Sequence, residues 1–239
     1  MPGNFRINLR ENASPFCFFV PRTIPAGLRE LAKAAIMKML QEDIIEVVKG
    51  PSDWCAALTI VPKPNGKDVR PCVDLTMLNK SVLRESYPLL RITKLLASLG
   101  GSVMWSKIDA NNGFHQCMLD PESKLFRTFI TPWGRFYFKR MPFGILSAPE
   151  YVQRTMESIL EGVVCMMDDI LVHGPSEAQH WKNLQNVLFA IKRSAMVLRK
   201  DKCEFGKQEI KFLGHVISEK VSNLTLRKSK PSPKCRPHD

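Results

Sequence analysis

The sequence has no apolar run near the ~20 residues that a membrane-spanning helix requires. Its longest early run, Phe16-Cys17-Phe18-Phe19-Val20, stops at Pro21 and is too short for the core of a secretion signal. No CxxC occurs. The seven cysteines (Cys17, Cys55, Cys72, Cys117, Cys165, Cys203, Cys235) are odd in number and scattered, and several sit inside apolar runs, as Cys165 does in VVCMM. This pattern argues against a disulfide frame and a zinc site and predicts reduced thiols in an intracellular protein, cytoplasmic or nuclear. The five histidines form no ligand pair at helical spacing, and there are no internal repeats. Acidic residues are in deficit: 23 Asp and Glu face 35 Lys and Arg, a net charge of +12. Such an excess suits nucleic acid or an acidic membrane surface, with a merely soluble basic protein as the alternative.

What is present is ordinary for a globular protein: 239 residues, 44% apolar and 24% charged. Surface scaling lets a chain of this size bury roughly 70% of its unfolded surface, and its length allows one or two domains. The first fifteen residues are polar and aperiodic, and are expected to be a linker or cut edge. Apolar residues from Leu28 to Leu40 then recur at helical spacing, with Pro25 suited to the first turn. Strands over 55–61 and 69–73 flank the turn Lys63-Pro64-Asn65-Gly66-Lys67-Asp68, a hairpin with Lys63, Lys67 and Arg70 near its tip. A short helix is predicted over 92–99, a buried strand over 103–108 ending at Asp109, and strands over 125–131 and 135–140. Ser147-Ala148-Pro149-Glu150 fits a capping box and Ser176-x-x-Gln179 a second helix start, with Leu184, Val187, Leu188 and Ile191 inward. A last strand is predicted over 211–217, and a disordered basic tail from Lys220. Alternating strands, helices and hairpins indicate an α+β fold.

Asp168-Asp169 is the most informative feature. Apolar residues precede and follow the pair, which reads as the turn of a buried hairpin. Two adjacent carboxylates there carry a desolvation cost and repel each other, and tight hairpins favour Asn-Gly or Asp-Gly instead. A divalent cation relieves both costs; a solvent-exposed polar turn is the competing reading. Asp109 ends its own apolar strand beside Asn111-Asn112-Gly113. If that strand pairs with the hairpin, the carboxylates converge and suit two metal ions and phosphoryl transfer; a strand-end cap is the plainer reading of Asp109. Lys63 and Arg70 supply candidate cations for phosphate, and the amides of 110–114 candidate donors. Aromatic and basic residues interleave from Phe126-Arg127 to Phe138-Lys139-Arg140. They read either as a nucleic-acid surface or, for Phe136 and Phe138, as an aromatic core face.

These residues resemble a family. IIEVVKGPSDWCAALTIVPKPNGKDVRPCVDLTMLNK, WSKIDANNGFHQCMLD, TFITPWGRFYFKRMPFGILSAPEYVQRTM, CMMDDILVHG and KFLGHVIS stand in the order and spacing of the reverse transcriptase domain of gypsy-like long-terminal-repeat retrotransposons, over about residues 16–219. The resemblance implies a right-hand polymerase whose antiparallel palm sheet is backed by helices. It implies fingers mainly over 16–102, and a palm over 103–219 with a fingers insertion at about 120–145. It also implies RNA-directed DNA polymerase activity: transfer from a deoxynucleoside triphosphate to a primer 3′-hydroxyl on an RNA or DNA template, with two Mg²⁺ ions or Mn²⁺ in their place. Carried over, Asp109, Asp168 and Asp169 match the metal triad. Lys63, Arg70, Ala110, Asn111, Asn112, Gly113, Phe114, Phe143 and Gly144 match the nucleotide-binding set, with Phe114 as steric gate against a 2′-hydroxyl. Phe212, Leu213, Gly214 and His215 match the primer grip. Met166 replaces a frequent aromatic and Thr76 a frequent arginine. After Glu219 the pattern dissolves, so thumb, connection and ribonuclease H domains are expected to be absent, with weakened template binding and a partner chain as one substitute for the thumb. The alternatives are a catalytically dead, element-derived nucleic-acid-binding protein, a polyprotein fragment named for ribonuclease H without that domain, or a decayed fragment.

Overall fold

The computed structural model describes residues 3–64, 66–88, 92, 95 and 99–219. The helix expected over 92–99 lies largely, and the basic tail wholly, outside them. The chain divides into two compact units, Met1–Tyr87 with Phe114–Val152, and Pro88–Gly113 with Gln153–Asp239.

The first unit is built on a five-stranded sheet in the order Ile45–Val47, Gly134–Phe138, Thr128–Thr131, Ala56–Pro62, Val69–Val73. Its neighbours are antiparallel except the third and fourth, which run parallel. The predicted hairpin is present, with Val61 opposite Arg70 and Pro62 opposite Val69. Alternation along Gly134–Phe138 turns Phe136 and Phe138 inward against Phe129, at ring separations of 5.9 and 5.1 Å. Phe136 and Phe138 are therefore core and not a stacking surface. Arg127 is also fully buried, its Nη2 donating to the Ser123 carbonyl at 3.2 Å. Burial pulls its pKa down to about 9. The helix Arg29–Gln41 follows a 3-10 turn at Ala26–Leu28 and buries only Ala32 and Ile36 of its predicted stripe.

Two local expectations fail here for identifiable reasons. Leu125 ends a helix, Pro121–Leu125, instead of starting a strand: Asp120 caps it by accepting from the Glu122 and Ser123 amides, and Pro121 fits the first turn. The opening residues, expected as a linker, pair Asn4–Phe5 with Met118–Leu119 and bury Phe5 and Ile7.

The second unit holds a four-stranded antiparallel sheet in the order Glu204–Lys207, Met104–Asp109, Asp169–Gly174, Val164–Met166. The last strand of the sequence reading is a hairpin, Glu209–Phe212 with His215–Ser218. Its two turn residues, Leu213 and Gly214, both take positive φ, 49° and 82°. That is the backbone twist tight hairpins favour, here with leucine where asparagine is usual. Trp105, Leu171, Val164, Ile210, Phe212 and Ile217 form one buried cluster under the sheet and this hairpin. Truncating Trp105 or Phe212 to alanine removes about 3–5 kcal/mol of packing.

The helix Glu177–Arg193 covers the other face. Ser176 caps it by accepting from the Gln179 amide, as its sequence predicts. His180, Leu184, Val187 and Ile191 are buried, whereas Leu188 is exposed. His180 takes the inward place because its Nε2 meets Ser106 Oγ at 2.9 Å. Gly174 permits the close approach, since a Cβ there would lie 2.6 Å from the His180 backbone nitrogen. The helix Ala148–Ile159 belongs to the first unit up to Val152 and to the second from Gln153. In the first unit Glu150, read as half of a capping box, instead accepts from Arg84 Nε at 2.6 Å.

Candidate active site

Met104–Asp109 forms a strand because Trp105 and Ile108 have buried faces to fill. Pairing with Asp169–Gly174 places Ile108 opposite Ile170 and Asp109 directly opposite Asp169. Side chains on opposed residues share a face, with Cβ atoms about 4.5–5.5 Å apart. Two residues, Met167 and Asp168, connect the partners Met166 and Asp169. Met167 has φ 51°, a left-handed conformation that costs a non-glycine residue roughly 1–2 kcal/mol.

Fixed contacts hold that turn. The Ala110 amide donates to the Asp168 carbonyl at 2.8 Å. Gln153, fully buried, accepts from the Met167 amide at 2.9 Å and donates to the Cys165 carbonyl at 2.9 Å. Gln153 was not singled out from sequence; a buried amide twelve residues before its partner carries no local signature. Gly113 lies against the Asp168 side chain, and a Cβ there would fall 2.2 Å from Oδ1. Glycine is required at this position by space, not by backbone conformation.

The electrostatics follow from the crowding. Burial first, then the charges of Asp109 and Asp169, push the Asp168 carboxyl up to about 6, while the Gly113 amide and Lys202 draw it down. Asp168 Oδ1 is buried without a hydrogen-bond partner. Asp169 Oδ1 meets Lys107 Nζ at 3.1 Å, and Asp109 Oδ2 meets Lys202 Nζ at 3.5 Å. Among the described residues no three His, Cys, Asp or Glu side chains already encircle a metal-sized space. The orphaned Oδ1 nevertheless fits a hard cation, the species that satisfies a carboxylate oxygen in a dry setting.

The structure brings Asp109, Asp168, Asp169, Ala110 and Gly113 together. The Ala110 and Asn111 amides, expected as phosphate donors, are bonded instead to the carbonyls of Asp168 and Val197. Asn112 is exposed with φ 48°. Phe212, Leu213, Gly214 and His215 form the hairpin turn of the same unit, with Phe212 fully buried. In the first unit, buried Phe114 lies 4.9 Å from the ring of half-exposed Phe143. Asn79 fastens the adjoining loop, donating to the Gly144 carbonyl at 2.7 Å and accepting from the Leu146 amide at 3.0 Å. It too escaped the sequence reading. Lys63 and Arg70 stand at the exposed hairpin, where Lys63 pairs with Asp68.

The model of the family described as reverse transcriptase (RNA-dependent DNA polymerase) matches residues 61–217, which include the three aspartates and their turn. The chain belongs to the reverse transcriptase family. This reverse transcriptase domain is 35% identical over 202 residues to the transposon Tf2-3 polyprotein of Schizosaccharomyces pombe, and 34% to that of Tf2-7, covering 82% of the chain and 15% of each polyprotein. The chain thus spans about 15% of the length of these relatives. The foamy viral protease-reverse transcriptase in complex with an RNA/DNA hybrid matches with TM-score 0.80 at 21% identity, over 94% of this chain and 32% of that one. The native prototype foamy virus enzyme matches with TM-score 0.78 at 21% identity, over 88% and 29%. These likenesses show the polymerase fold that the sequence resemblance implied. The reverse transcriptase family depends in general on divalent metal. No helix among the described residues is long and apolar enough to cross a membrane.

Proposed function

We propose that this domain extends a primer 3′-hydroxyl with deoxynucleotides along an RNA or DNA template, with Asp109, Asp168 and Asp169 as ligands of two Mg²⁺ ions. The observation that carries the reading is the cross-strand register: Asp109 and Asp169 are opposed partners, and Asp168 occupies the turn beside them. Bound there, the ions would activate the attacking oxygen and neutralise charge on the leaving pyrophosphate, and Mn²⁺ can substitute. The protein's part is to hold three carboxylates in one orientation. Gln153 and Ala110 do this through the turn backbone, and Gly113 by leaving space.

The remaining roles follow the same reading. Lys63 and Arg70 neutralise the triphosphate once Lys63 leaves Asp68. Phe114, stiffened by Phe143, closes the space a 2′-hydroxyl needs. The Leu213-Gly214 turn, fixed on the same core as the Asp109 strand, supports the primer end. The unit that holds the aspartates acts as palm and the other as fingers. The net charge of +12 supports binding of the nucleic-acid backbone, as the RNA/DNA and double-stranded DNA complexes of the foamy viral enzymes illustrate for those proteins.

A primer-extension assay on RNA and DNA templates tests the reading. Wild-type protein incorporates deoxynucleotides with Mg²⁺ or Mn²⁺. Asp168→Asn loses at least about a thousandfold in rate yet binds primer-template as tightly. Incorporation by the variant at the wild-type rate overturns the assignment of Asp168. Salt-sensitive binding without incorporation by the wild type leaves the nucleic-acid-binding reading instead.

A further inference from the structure

A short turn beside the aspartates carries a cation whose place the two-metal reading does not explain. Lys200–Lys202 forms a 3-10 turn just before the edge strand Glu204–Lys207. Its backbone is tied to the site: the Arg199 amide donates to the Asp109 carbonyl at 2.9 Å, and the Lys202 amide to the Arg199 carbonyl at 3.0 Å. The tie fixes where the Lys202 side chain starts. Its ammonium stands 3.5 Å from Asp109 Oδ2, in a carboxylate only 12% exposed, while the lysine side chain is 52% exposed. Its charge also reaches Asp168.

Lys107 is a different kind of cation. It lies on the central strand between Leu171 and Glu204, 21% exposed, and contacts Asp169. A side chain enclosed in a sheet has little room to leave. Lys202, on a flexible stem with open solvent beside it, can withdraw.

We propose that Lys202 is a displaceable internal counter-ion of Asp109, which occupies the carboxylate in the metal-free protein and competes with the entering divalent cation. The inference rests on the metal-binding role proposed above for the aspartates. Its physical basis is that a dication at Asp109 and an ammonium on the same carboxylate repel each other at short range. The lysine therefore neutralises a crowded acidic face while the site is empty, and divalent affinity is set by the difference between the two cations. Lys107 stays in place and holds the orientation of Asp169 in both states.

Two readouts independent of polymerisation test it. Mn²⁺ binding is titrated by electron paramagnetic resonance for wild type, Lys202→Gln, Lys200→Gln and Asp168→Asn. Lys200, exposed on the same turn without an ion pair to the aspartates, controls for a general loss of positive charge. Lys202→Gln is expected to bind Mn²⁺ about two- to fivefold more tightly, the range of a partly exposed ion pair, with Lys200→Gln near wild type. In the second readout, acylation of lysines is mapped by mass spectrometry with and without Mg²⁺. Lys202 is expected to become several-fold more reactive when Mg²⁺ binds, and Lys200 to stay unchanged. Equal tightening in both lysine variants, or no tightening with unchanged Lys202 reactivity at saturating metal, overturns the proposal. Absence of any Mn²⁺ binding that Asp168→Asn abolishes removes the metal site itself, and the competition with it. That failure is distinct, because it appears in the wild type and not in the lysine variants.

Discussion

The aspartate end of the second unit and the Lys63–Arg70 hairpin of the first carry opposite charges and are built on opposite principles. The aspartates are placed by backbone. Strand register opposes Asp109 and Asp169, and a turn held by Gln153 and Ala110 sets Asp168. The hairpin cations are placed by side-chain freedom. Arg70 is exposed, and Lys63 has an alternative partner in Asp68. On the reading proposed above, the carboxylates that must hold still for metal are set by a sheet, whereas the cations that would meet the triphosphate sit near the end of an exposed hairpin.

Substitutions should separate the two regions. The largest expected effect is Gln153→Leu, which leaves the Met167 amide and Cys165 carbonyl without their partner in a buried place. It costs about 2–4 kcal/mol in a denaturant or thermal melt, and rates fall with it. If stability is unchanged, the turn is not held as described. Gly113→Ala comes next: the added methyl displaces the Asp168 carboxylate, and single-turnover incorporation drops about a hundredfold with little change in primer-template affinity. Lys63→Ala and Arg70→Ala each raise the KM for deoxynucleotide about tenfold, with unchanged melting temperature. A fall in stability for either would mean that the hairpin cations are structural.

The smallest effect lies in pH. Burial pushes the His115 imidazole down to about 4 from an ordinary 6.5, with the nearby Arg140 charge adding to it. Its pKa is depressed in the folded state, so between these values the unfolded chain binds more protons. Stability from this residue is complete above about pH 6.5 and is lost as pH falls toward 4. The upper limit is about 3 kcal/mol, and partial exposure reduces it to roughly 1–2 kcal/mol. His115→Gln should flatten that part of the stability profile; an unaltered slope would place the acid sensitivity elsewhere.

Much of this was legible in the sequence where the signal is local and periodic. The strand ending at Asp109 and the turn chemistry between 62 and 69 gave elements at their observed places. The apolar flanks of Asp168-Asp169 gave the hairpin, but its turn lies one residue earlier, at Met167-Asp168, with Asp169 already paired in the strand. What stayed hidden depends on distant partners. Gln153 reads as an ordinary helix residue and Asn79 falls in no expected element, because their roles are fixed by backbone groups in other segments. Arg127 read as part of a basic surface, although the fold encloses it. Leu213-Gly214 lay inside an apolar run that reads as a single strand, since leucine is not a residue one expects at positive φ. The Pro121–Leu125 helix had its signal in plain view, but five residues are too few for periodicity to register.

The central strand has a further implication for how this domain can vary. Trp105, Lys107 and Asp109 lie on one side, while Ser106 and Ile108 turn to the other, where Ser106 meets His180. The arrangement obeys a parity rule. Gaining or losing one residue inside 104–109 would send the carboxylate beneath the covering helix and bring serine to the tryptophan's place. A single-residue change here must be absorbed by a bulge, as the neighbouring edge strand already does between Glu204 and Lys207, so point replacement is the easier route by which this strand can drift.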